Sequence, residues 1–332
     1  MSANEGFAAR QREEPDRYLF ATRLNSFRRG QPDVANAIRA VANISGLSAL
    51  ELNYPQHFYE IRERDLADLL VETGLQITAL NLRFDAEQFI GGAFTHPEAA
   101  TRDQAVRMAQ EAVDVAQRFR ARHVVLWMEN DGFDYSFQID YADAWAHEID
   151  GFRRVADYDP GMRVSVEYKA ADPRRFALIR SMGEALLAGR DVDRSNFGVT
   201  LDFCHSLMVG EQPAAAAALA LKEQRLFGIH LNDGYGRADD GLMVGSVHLW
   251  QTLELLAVLV DGGYAGTLYF DTFPQRENAA GECAANIGTV KRYLSALETV
   301  DRRQLAEARV AQDALAVRNA LDRLLGHWDD AP

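Results

Sequence analysis

Short apolar runs and longer amphipathic stretches alternate along most of the chain. The short runs are rich in β-branched and aromatic residues, which is typical of buried parallel strands. The stretches between them, such as Glu98–Arg118 and Val247–Val260, place apolar residues at helical spacing. The pattern predicts eight strands: Tyr18–Phe27, Gly46–Tyr54, Leu75–Phe84, Arg122–Met128, Met162–Tyr168, Phe197–Phe203, Leu226–Leu231 and Gly266–Phe270.

Eight strands, each followed by a helix, are what a closed (β/α)₈ TIM barrel contains, so this is the α/β fold that we predict. Asp33, before VANAIRAVA, and Asp172-Pro173, before RRFALIRSM, are typical of helix starts. An open doubly wound sheet is the alternative, but it usually carries a Gly-rich phosphate-binding turn after its first strand. The sequence has no such turn, and Gly91-Gly92 is interpreted as an ordinary loop.

The chain is expected to form one large domain with an extension at each end. We place the N-terminal extension at 1–16, the barrel at 17–300 and a C-terminal helix at 301–332. Apolar positions between Asp301 and Leu325 form one stripe along that helix. The stripe predicts packing on the outside of the barrel, and an arm across a neighbouring subunit is the alternative.

Composition narrows the classes of function. The 48% hydrophobic content excludes global disorder, and no apolar run approaches the about 18 residues that span a bilayer. The first 18 residues contain no apolar signal-peptide core, and the cysteines Cys204 and Cys283 form no CxxC motif, so we expect a cytoplasmic protein. A net charge of −14, from 49 acidic and 35 basic residues, argues against nucleic acid and favours a small-molecule partner.

Four polar side chains come at the ends of the last four predicted strands: Glu167, Asp202, His230 and Asp271. Because the carboxyl ends of parallel barrel strands surround one point, we expect these side chains to meet there. Three carboxylates and one imidazole suit Mn²⁺ best, with Mg²⁺, Co²⁺ or Zn²⁺ as alternatives. The sequence therefore predicts a divalent metal site on these four ligands.

Two further residues follow the proposed ligands closely. Lys169 lies two residues after Glu167, so both side chains are expected on the same side of the strand. Lys169 is interpreted as an electrophilic group beside the metal, with a buried ion pair to Glu167 as the alternative. His205 follows Asp202 by three residues and would ligate a second metal that Asp202 bridges, or else would pack within the next helix.

Other candidate residues lie at the carboxyl ends of further strands. Trp127 ends the fourth strand and would form an aromatic wall against a sugar, unless it is only a core residue. His57 follows the second strand and would carry a proton, unless it is a surface loop residue. Asn232 shares a side of its strand with His230 and is predicted to bind substrate. Downstream, Asp239-Asp240 would serve a second metal or form a solvated loop.

With these motifs in place, the chain resembles the xylose-isomerase-like barrels and, within them, the L-rhamnose isomerase group. The resemblance covers about residues 17–300. Three motifs carry the resemblance: Glu167-x-Lys169, Asp202-x-x-His205 and His230-x-Asn232-Asp233. Asp271 and the segment LWMENDGFDYSFQ, at 126–138, add to it.

The resemblance implies a metal-dependent aldose–ketose isomerase that shifts a hydride between C1 and C2, assembled as a homodimer or homotetramer. It implies that Lys169 binds the substrate carbonyl, that His57 assists ring opening and that Asp240 holds a water that relays the hydroxyl proton. In the isomerases the acidic loop carries two acids spaced i, i+2, whereas this chain has Ala238-Asp239-Asp240-Gly241. The departure weakens the prediction of a second metal.

Three other functions stay open at this point. A single-metal epimerase or lyase acting on a modified sugar comes first, although related epimerases carry Glu at the eighth strand and lack Glu-x-Lys. An AP-endonuclease-like nuclease would want a basic groove and more than eight histidines. A non-catalytic sugar-binding barrel is another alternative. A Ser/His/Asp hydrolase lacks its GxSxG elbow.

Overall fold

Eight parallel strands close into a barrel in the computed structural model, which describes residues 18–29 and 33–326. Each strand pairs with its neighbours in chain order and the first pairs with the last, so the ring has no free edge. The predicted (β/α)₈ barrel is confirmed. The strands are β1 Leu19–Arg23, β2 Ala49–Tyr54, β3 Gln76–Arg83, β4 His123–Trp127, β5 Arg163–Glu167, β6 Phe197–Asp202, β7 Leu226–Leu231 and β8 Thr267–Phe270.

Helices surround the barrel and connect its strands. Two α-helices lie between β6 and β7, and one α-helix lies in each of the other connections between consecutive strands. In the part of the chain that the structure describes, three α-helices follow β8. Within the described ranges, no helix is both long enough and apolar enough to cross a bilayer. The helices are α1 Val34–Ala42, α2 Glu63–Thr73, α3 Ala99–Arg118, α4 Tyr141–Tyr158, α5 Met182–Val192, α6 Phe203–Met208, α7 Pro213–Lys222, α8 Leu249–Asp261, α9 Ala279–Glu298, α10 Arg302–Ala311 and α11 Ala314–Gly326.

One of the two predicted helix starts is confirmed and the other is wrong. Asp33 caps α1, because its side chain accepts a hydrogen bond from the backbone N–H of Asn36. No helix follows Asp172-Pro173 directly; α5 begins ten residues later, where Ser181 caps it through Glu184 N–H. The segment between them contains the two-residue strand Phe176–Ala177, which pairs with Gly132–Phe133 from the β4–α4 loop.

The predicted C-terminal helix is two helices. Gln312 adopts a left-handed conformation, with φ of 53°, and ends α10 before α11 begins. Leu305 and Leu324 are buried against the core, whereas Val310 and Leu315 are exposed, so the apolar positions do not form one stripe. The N-terminal extension predicted at 1–16 and the last residues of the C-terminal one, 327–332, lie outside the described residues.

The barrel lumen below the carboxyl ends is lined by small and polar side chains. Barrels of this kind usually fill their lumen with branched aliphatic residues. Here His123 Nε2 lies 2.7 Å from Ser165 Oγ, which lies 2.7 Å from Thr200 Oγ1, and all three residues are buried. Most apolar side chains instead pack between the strands and the outer helices. The interior of the barrel is therefore polar below the carboxyl ends of the strands.

Candidate metal centre

Glu167, Asp202, His230 and Asp271 converge at the carboxyl end of the barrel. One candidate ligand atom from each lies within 4.8 Å of the corresponding atoms of the other three. Asp202 and His230 are paired directly across β6 and β7, which accounts for part of this convergence. Glu167, Asp202 and His230 are buried, and Asp271 is partly exposed. The tertiary structure thus brings together the four side chains that the strand pattern singled out.

A second cluster shares Asp202 with the first. Candidate ligand atoms of Asp202, His205 and Asp239 also lie within 4.8 Å of one another. His205 lies in the first turn of α6, where its backbone N–H donates to Asp202 Oδ1 over 2.9 Å. Its Nδ1 faces the carbonyl oxygen of Tyr168 at 3.0 Å, and its Nε2 lies 3.2 Å from Asp239 Oδ2. If Nδ1–H donates to that carbonyl, Nε2 is left to bind a cation beside Asp239.

The two clusters hold more negative charge than their burial favours. Burial raises the pKa of Asp202 to about 7 and that of Asp271 to about 6. Burial lowers the pKa of His205, but Asp202 and Asp239 outweigh it and raise that pKa to about 9. Without a metal, protons on the imidazoles therefore offset the carboxylates.

The donor atoms suit a divalent cation. Asp239 Oδ1 and Asp271 Oδ1 are buried and receive no hydrogen bond from the described residues. Unsatisfied carboxylate oxygens in a buried site are stabilised by a bound cation. Carboxylate oxygens with one imidazole per cluster form an oxygen-rich set that suits Mn²⁺ or Mg²⁺. The two groups of residues therefore fit a metal centre, and Asp202 could bridge two ions.

Lys169 lies beside the second cluster and is buried. Its Nζ is 3.1 Å from Asp239 Oδ2, 3.5 Å from Asp172 Oδ2 and 5.0 Å from the centre of the Trp127 ring. Burial lowers the pKa of Lys169, but Asp239 outweighs it and raises that pKa above its usual value. Lys169 is therefore an ammonium that lines the cavity, and its ion pairs are with Asp239 and Asp172 rather than with Glu167, the alternative considered from the sequence.

The predicted role of Asp240 is corrected by the path of its loop. Asp240 Oδ2 accepts a hydrogen bond from the backbone N–H of Tyr235 over 2.7 Å, and Asp239 is the acid that reaches the cluster. Gly241, which follows, has φ of +58°, and a Cβ there would lie 2.3 Å from the Phe273 ring. This turn directs Asp239 inward and leaves Asp240 to hold the loop.

His57 does not line the cavity, contrary to the proton-carrying role expected of it. It is buried, so the surface-loop alternative is also wrong. Its Nδ1 accepts the backbone N–H of Asn53 over 2.9 Å, and its Nε2 lies 2.8 Å from Asn25 Oδ1. Burial lowers the pKa of His57 to about 3, and nearby arginines add to this. A neutral imidazole with both nitrogens engaged holds the β2 loop in place.

Asn232 does not line the cavity, contrary to its predicted role in binding substrate. It forms a hydrogen bond with Asp202, one of the candidate metal ligands. It is fully buried, and its Nδ2 donates to Asp202 Oδ2 over 2.9 Å. Its Oδ1 accepts the backbone N–H of Cys204 over 2.9 Å. The amide thus links β7 to the start of α6 and fixes the Asp202 carboxylate.

A cavity of about 250 Å³ opens above the two clusters. Trp127 lines it, as expected, and residues from β1 to β3 form another part of its wall. Sequence reasoning missed these residues, although they lie at or near strand ends and the rule used for the acids could have found them. They are Arg23, Asn53, Asn81 and Arg83.

Two arginines are held over aromatic rings at the cavity wall. The Arg83 guanidinium lies 4.5 Å from the centre of the Trp127 ring, and that of Arg23 lies 4.6 Å from the centre of the Phe273 ring. Arg23 Nε is also 3.3 Å from Asp271 Oδ1. Stacking and ion pairing restrict both side chains, which present N–H donors to whatever occupies the cavity.

The two neighbouring acids of the loop should respond differently to substitution. Asp239→Asn is expected to remove one metal equivalent or weaken it about 100-fold or more, because it changes a ligand of the second cluster. Asp240→Asn keeps an oxygen for Tyr235 N–H and should leave the stoichiometry unchanged. Calorimetric titration with Mn²⁺ measures both. Loss of a metal in Asp240→Asn with none lost in Asp239→Asn would contradict the assignment.

Comparison with known protein families finds a match over most of the barrel. Residues 38–289 match the family described as xylose isomerase-like TIM barrel. Xylose isomerase from Thermus thermophilus is 30% identical over 233 residues, which cover 68% of this chain and 60% of that protein. Xylose isomerase from Thermus caldophilus is 29% identical over 234 residues with the same coverage. The chain thus matches about 60% of the length of these relatives.

Solved structures share the fold at lower identity. D-allulose 3-epimerase from Methylomonas sp. superposes with a TM-score of 0.67 and 17% identity over 83% of this chain and 97% of that one. A xylose isomerase domain protein from Alicyclobacillus acidocaldarius gives 0.64 and 15%, over 83% and 98%. An AP endonuclease, family 2, from Brucella melitensis gives 0.63 and 20%, over 82% and 98%. At these identities the likeness establishes the barrel alone.

Proposed function

The chain belongs to the xylose isomerase-like TIM barrel superfamily, and on that basis we propose that it is a metal-dependent aldose–ketose isomerase of the xylose or L-rhamnose isomerase type. Sugar isomerases and epimerases occur among its relatives, and the curated ones named above are xylose isomerases. Because those matches cover about 60% of each relative, reaction and substrate both belong to the proposal.

The observation that carries the proposal is the position of Lys169 beside two ligand clusters in one cavity. Its Nζ is 3.1 Å from Asp239, and Asp239 belongs to the cluster with Asp202 and His205. An ammonium next to a metal centre gives a sugar carbonyl two sources of positive charge. An aldose–ketose isomerisation needs such stabilisation, because negative charge develops on the carbonyl oxygen.

Each residue then has a role defined by what it faces. A divalent cation, Mn²⁺ in this proposal, held by Glu167, Asp202, His230 and Asp271 would act as a Lewis acid on adjacent sugar oxygens. Lys169 Nζ donates a hydrogen bond to the carbonyl oxygen, and the Trp127 ring packs against the apolar face of the sugar.

The arginines and amides that β1 to β3 contribute to the cavity complete the site. Arg83 and Arg23 present N–H donors, while Asn53 and Asn81 offer both donors and acceptors to hydroxyl groups. A cavity of about 250 Å³ accommodates a ligand of a few carbon atoms. These groups would orient an open-chain sugar along the cavity.

A single-metal epimerase or lyase is the second candidate, and one observation favours it. Asp271 lines the cavity, and its Oδ1 accepts no hydrogen bond from the described residues although Arg23 Nε lies 3.3 Å away. Burial raises the pKa of Asp271 to about 6. If the single metal occupies the cluster of Asp202, His205 and Asp239, Asp271 is not a ligand, and a carboxylate whose pKa lies near neutral pH is suited to remove a proton beside a carbonyl. That chemistry exchanges the proton with solvent, whereas a hydride shift does not.

The test is an isotope experiment with Mn²⁺-loaded protein and a panel of aldoses carrying deuterium at C2. The proposed isomerase should form ketoses that retain the deuterium at C1, detected by NMR and mass spectrometry. Deuterium lost to solvent water would favour the second candidate. Protein dialysed against EDTA is the matched control and should be inactive. Metal-loaded protein that converts no aldose or ketose at C1 and C2 would overturn the proposal.

A further inference from the structure

We propose that Glu51, buried in the middle of β2, is a positioning residue that orients His230 and increases its affinity for a metal. The inference depends on the metal centre of the proposed function. It assigns a role to a carboxylate that is not among the candidate ligands and that lies on the far side of the His230 ring from Glu167. Glu51 holds the imidazole as the tautomer with hydrogen on Nε2, which leaves the Nδ1 lone pair for a cation.

The His230 ring lies between two carboxylates and presents a different nitrogen to each. Nδ1 is 3.2 Å from Glu167 Oε1, on the side of the ligand cluster, and Nε2 is 3.7 Å from Glu51 Oε2. The Tyr269 ring, with its centre 4.5 Å from that of the imidazole, packs against it. An imidazole that binds a metal through one nitrogen commonly donates the other N–H to a carboxylate, which raises its basicity and sets its orientation.

Glu51 is itself fixed by neutral donors. Thr78 Oγ1 lies 3.3 Å from Glu51 Oε1, and Asn81 Nδ2 lies 3.1 Å from Glu51 Oε2. The residue is 5% exposed, and no lysine or arginine of the described residues forms an ion pair with it. A buried carboxylate is unfavourable without compensating donors, and the His230 imidazole is the one ring N–H group of the described residues within ion-pair distance of Glu51. The burial of Glu51 is therefore accounted for by its effect on His230.

The far side of the imidazole is reached from the opposite end of the barrel. A second cavity, of about 180 Å³, enters from the amino ends of the strands and is lined by both Glu51 and His230. Gly228 keeps this space open, because a Cβ there would lie 2.5 Å from Thr200 Oγ1. Water in this cavity would compete for the Nε2–H if the carboxylate were removed. The position of Glu51 thus shields that hydrogen from exchange.

The contact of 3.7 Å is an ion-pair distance and longer than a hydrogen bond. The proposal requires it to shorten to a hydrogen bond when a metal occupies Nδ1. His205 supplies an internal reference, since its Nδ1 faces the Tyr168 carbonyl at 3.0 Å and does not depend on Glu51. Co²⁺-loaded protein should therefore show two paramagnetically shifted, exchangeable histidine N–H signals, one from each imidazole.

The test compares wild-type protein with Glu51→Gln by Mn²⁺ titration calorimetry and by proton NMR of the Co²⁺-loaded forms. Glu51→Gln should weaken the first metal about 10- to 100-fold. The His230 N–H signal should shift and exchange faster with water, while the His205 signal should stay in place. Glu51→Asp, which keeps the charge, should recover part of the affinity and serves if the amide variant does not fold.

Glu148→Gln is the matched control, because Glu148 is also a buried glutamate but lies on α4 and belongs to neither cluster. It should bind metal as the wild type does. Unchanged affinity and an unchanged His230 signal in Glu51→Gln would overturn the inference and leave the metal centre standing. Wild-type protein that binds no metal would overturn the inference and the proposed function together.

Discussion

Asp202→Asn is expected to abolish metal binding at both clusters and to lower turnover about 10³-fold or more. Asp202 is the one residue common to the two ligand sets, and it is fully buried. A bound divalent cation supplies several kcal/mol of transition-state stabilisation, and each 1.36 kcal/mol is a factor of ten in rate. An amide of the same shape cannot supply the charge. Steady-state turnover and metal content by elemental analysis measure the two effects.

The fold should survive this substitution. Burial raises the pKa of Asp202 to about 7 in the metal-free chain, so a neutral side chain costs little there. The Asn oxygen can still accept the backbone N–H of His205 that caps α6, but its NH2 group then faces the Asn232 Nδ2 that donates to Asp202 in the wild type, and the lost hydrogen bond costs about 1 kcal/mol. We therefore expect the metal-free melting temperature to fall by only a few degrees. Excess Mn²⁺ should raise the melting temperature only in the wild type. At a Mn²⁺ concentration of one hundred times Kd, binding adds about 2.7 kcal/mol to the free energy of unfolding.

Lys169→Met is expected to lower kcat about 10²- to 10³-fold while the protein still binds metal. The methionine side chain is of similar length but lacks the ammonium that donates to the carbonyl oxygen in the proposed mechanism, and removing one such donor typically costs that much. The ligand clusters do not contain Lys169. Calorimetry should therefore find the wild-type number of metal ions, and the loss should lie in kcat more than in KM.

Asp172→Asn is the matched control for this prediction. It breaks the contact of 3.5 Å between Lys169 and an acid whose side chain is 75% exposed, and it leaves the ammonium in place beside Asp239. An exposed ion pair of this kind contributes little, so turnover should stay within about threefold. Full activity in Lys169→Met would contradict a role for Lys169 in the mechanism. Loss of metal from Lys169→Met would instead show that Lys169 contributes to metal binding.

Local sequence patterns predicted the parts of this protein that depend on strand and helix periodicity. Alternation placed Glu167, Asp202, His230 and Asp271 at the carboxyl ends of β5 to β8, and a closed barrel brings such ends together. The helix cap at Asp33 was equally local, since it joins Asp33 to the backbone N–H of Asn36, three residues later. By contrast, the α5 start was misplaced because the segment before it contains a two-residue strand that pairs with the β4–α4 loop.

The finer geometry depended on contacts between residues far apart in the chain. Whether Asp239 or Asp240 faces the metal centre is decided by the turn at Gly241, which packs under Phe273. Hydrogen bonds to Asn25 and Asn53 hold His57 outside the cavity, and the Asn232 amide donates to Asp202 instead of facing the cavity. Glu51 lies in an ordinary apolar run, and its contact with His230 joins β2 to β7 across the lumen. The sequence by itself determined the barrel and four strand-end side chains, because strand periodicity repeats every two residues. Only the tertiary structure decided which other polar groups reach them, because loop paths and contacts across the lumen depend on packing between distant segments.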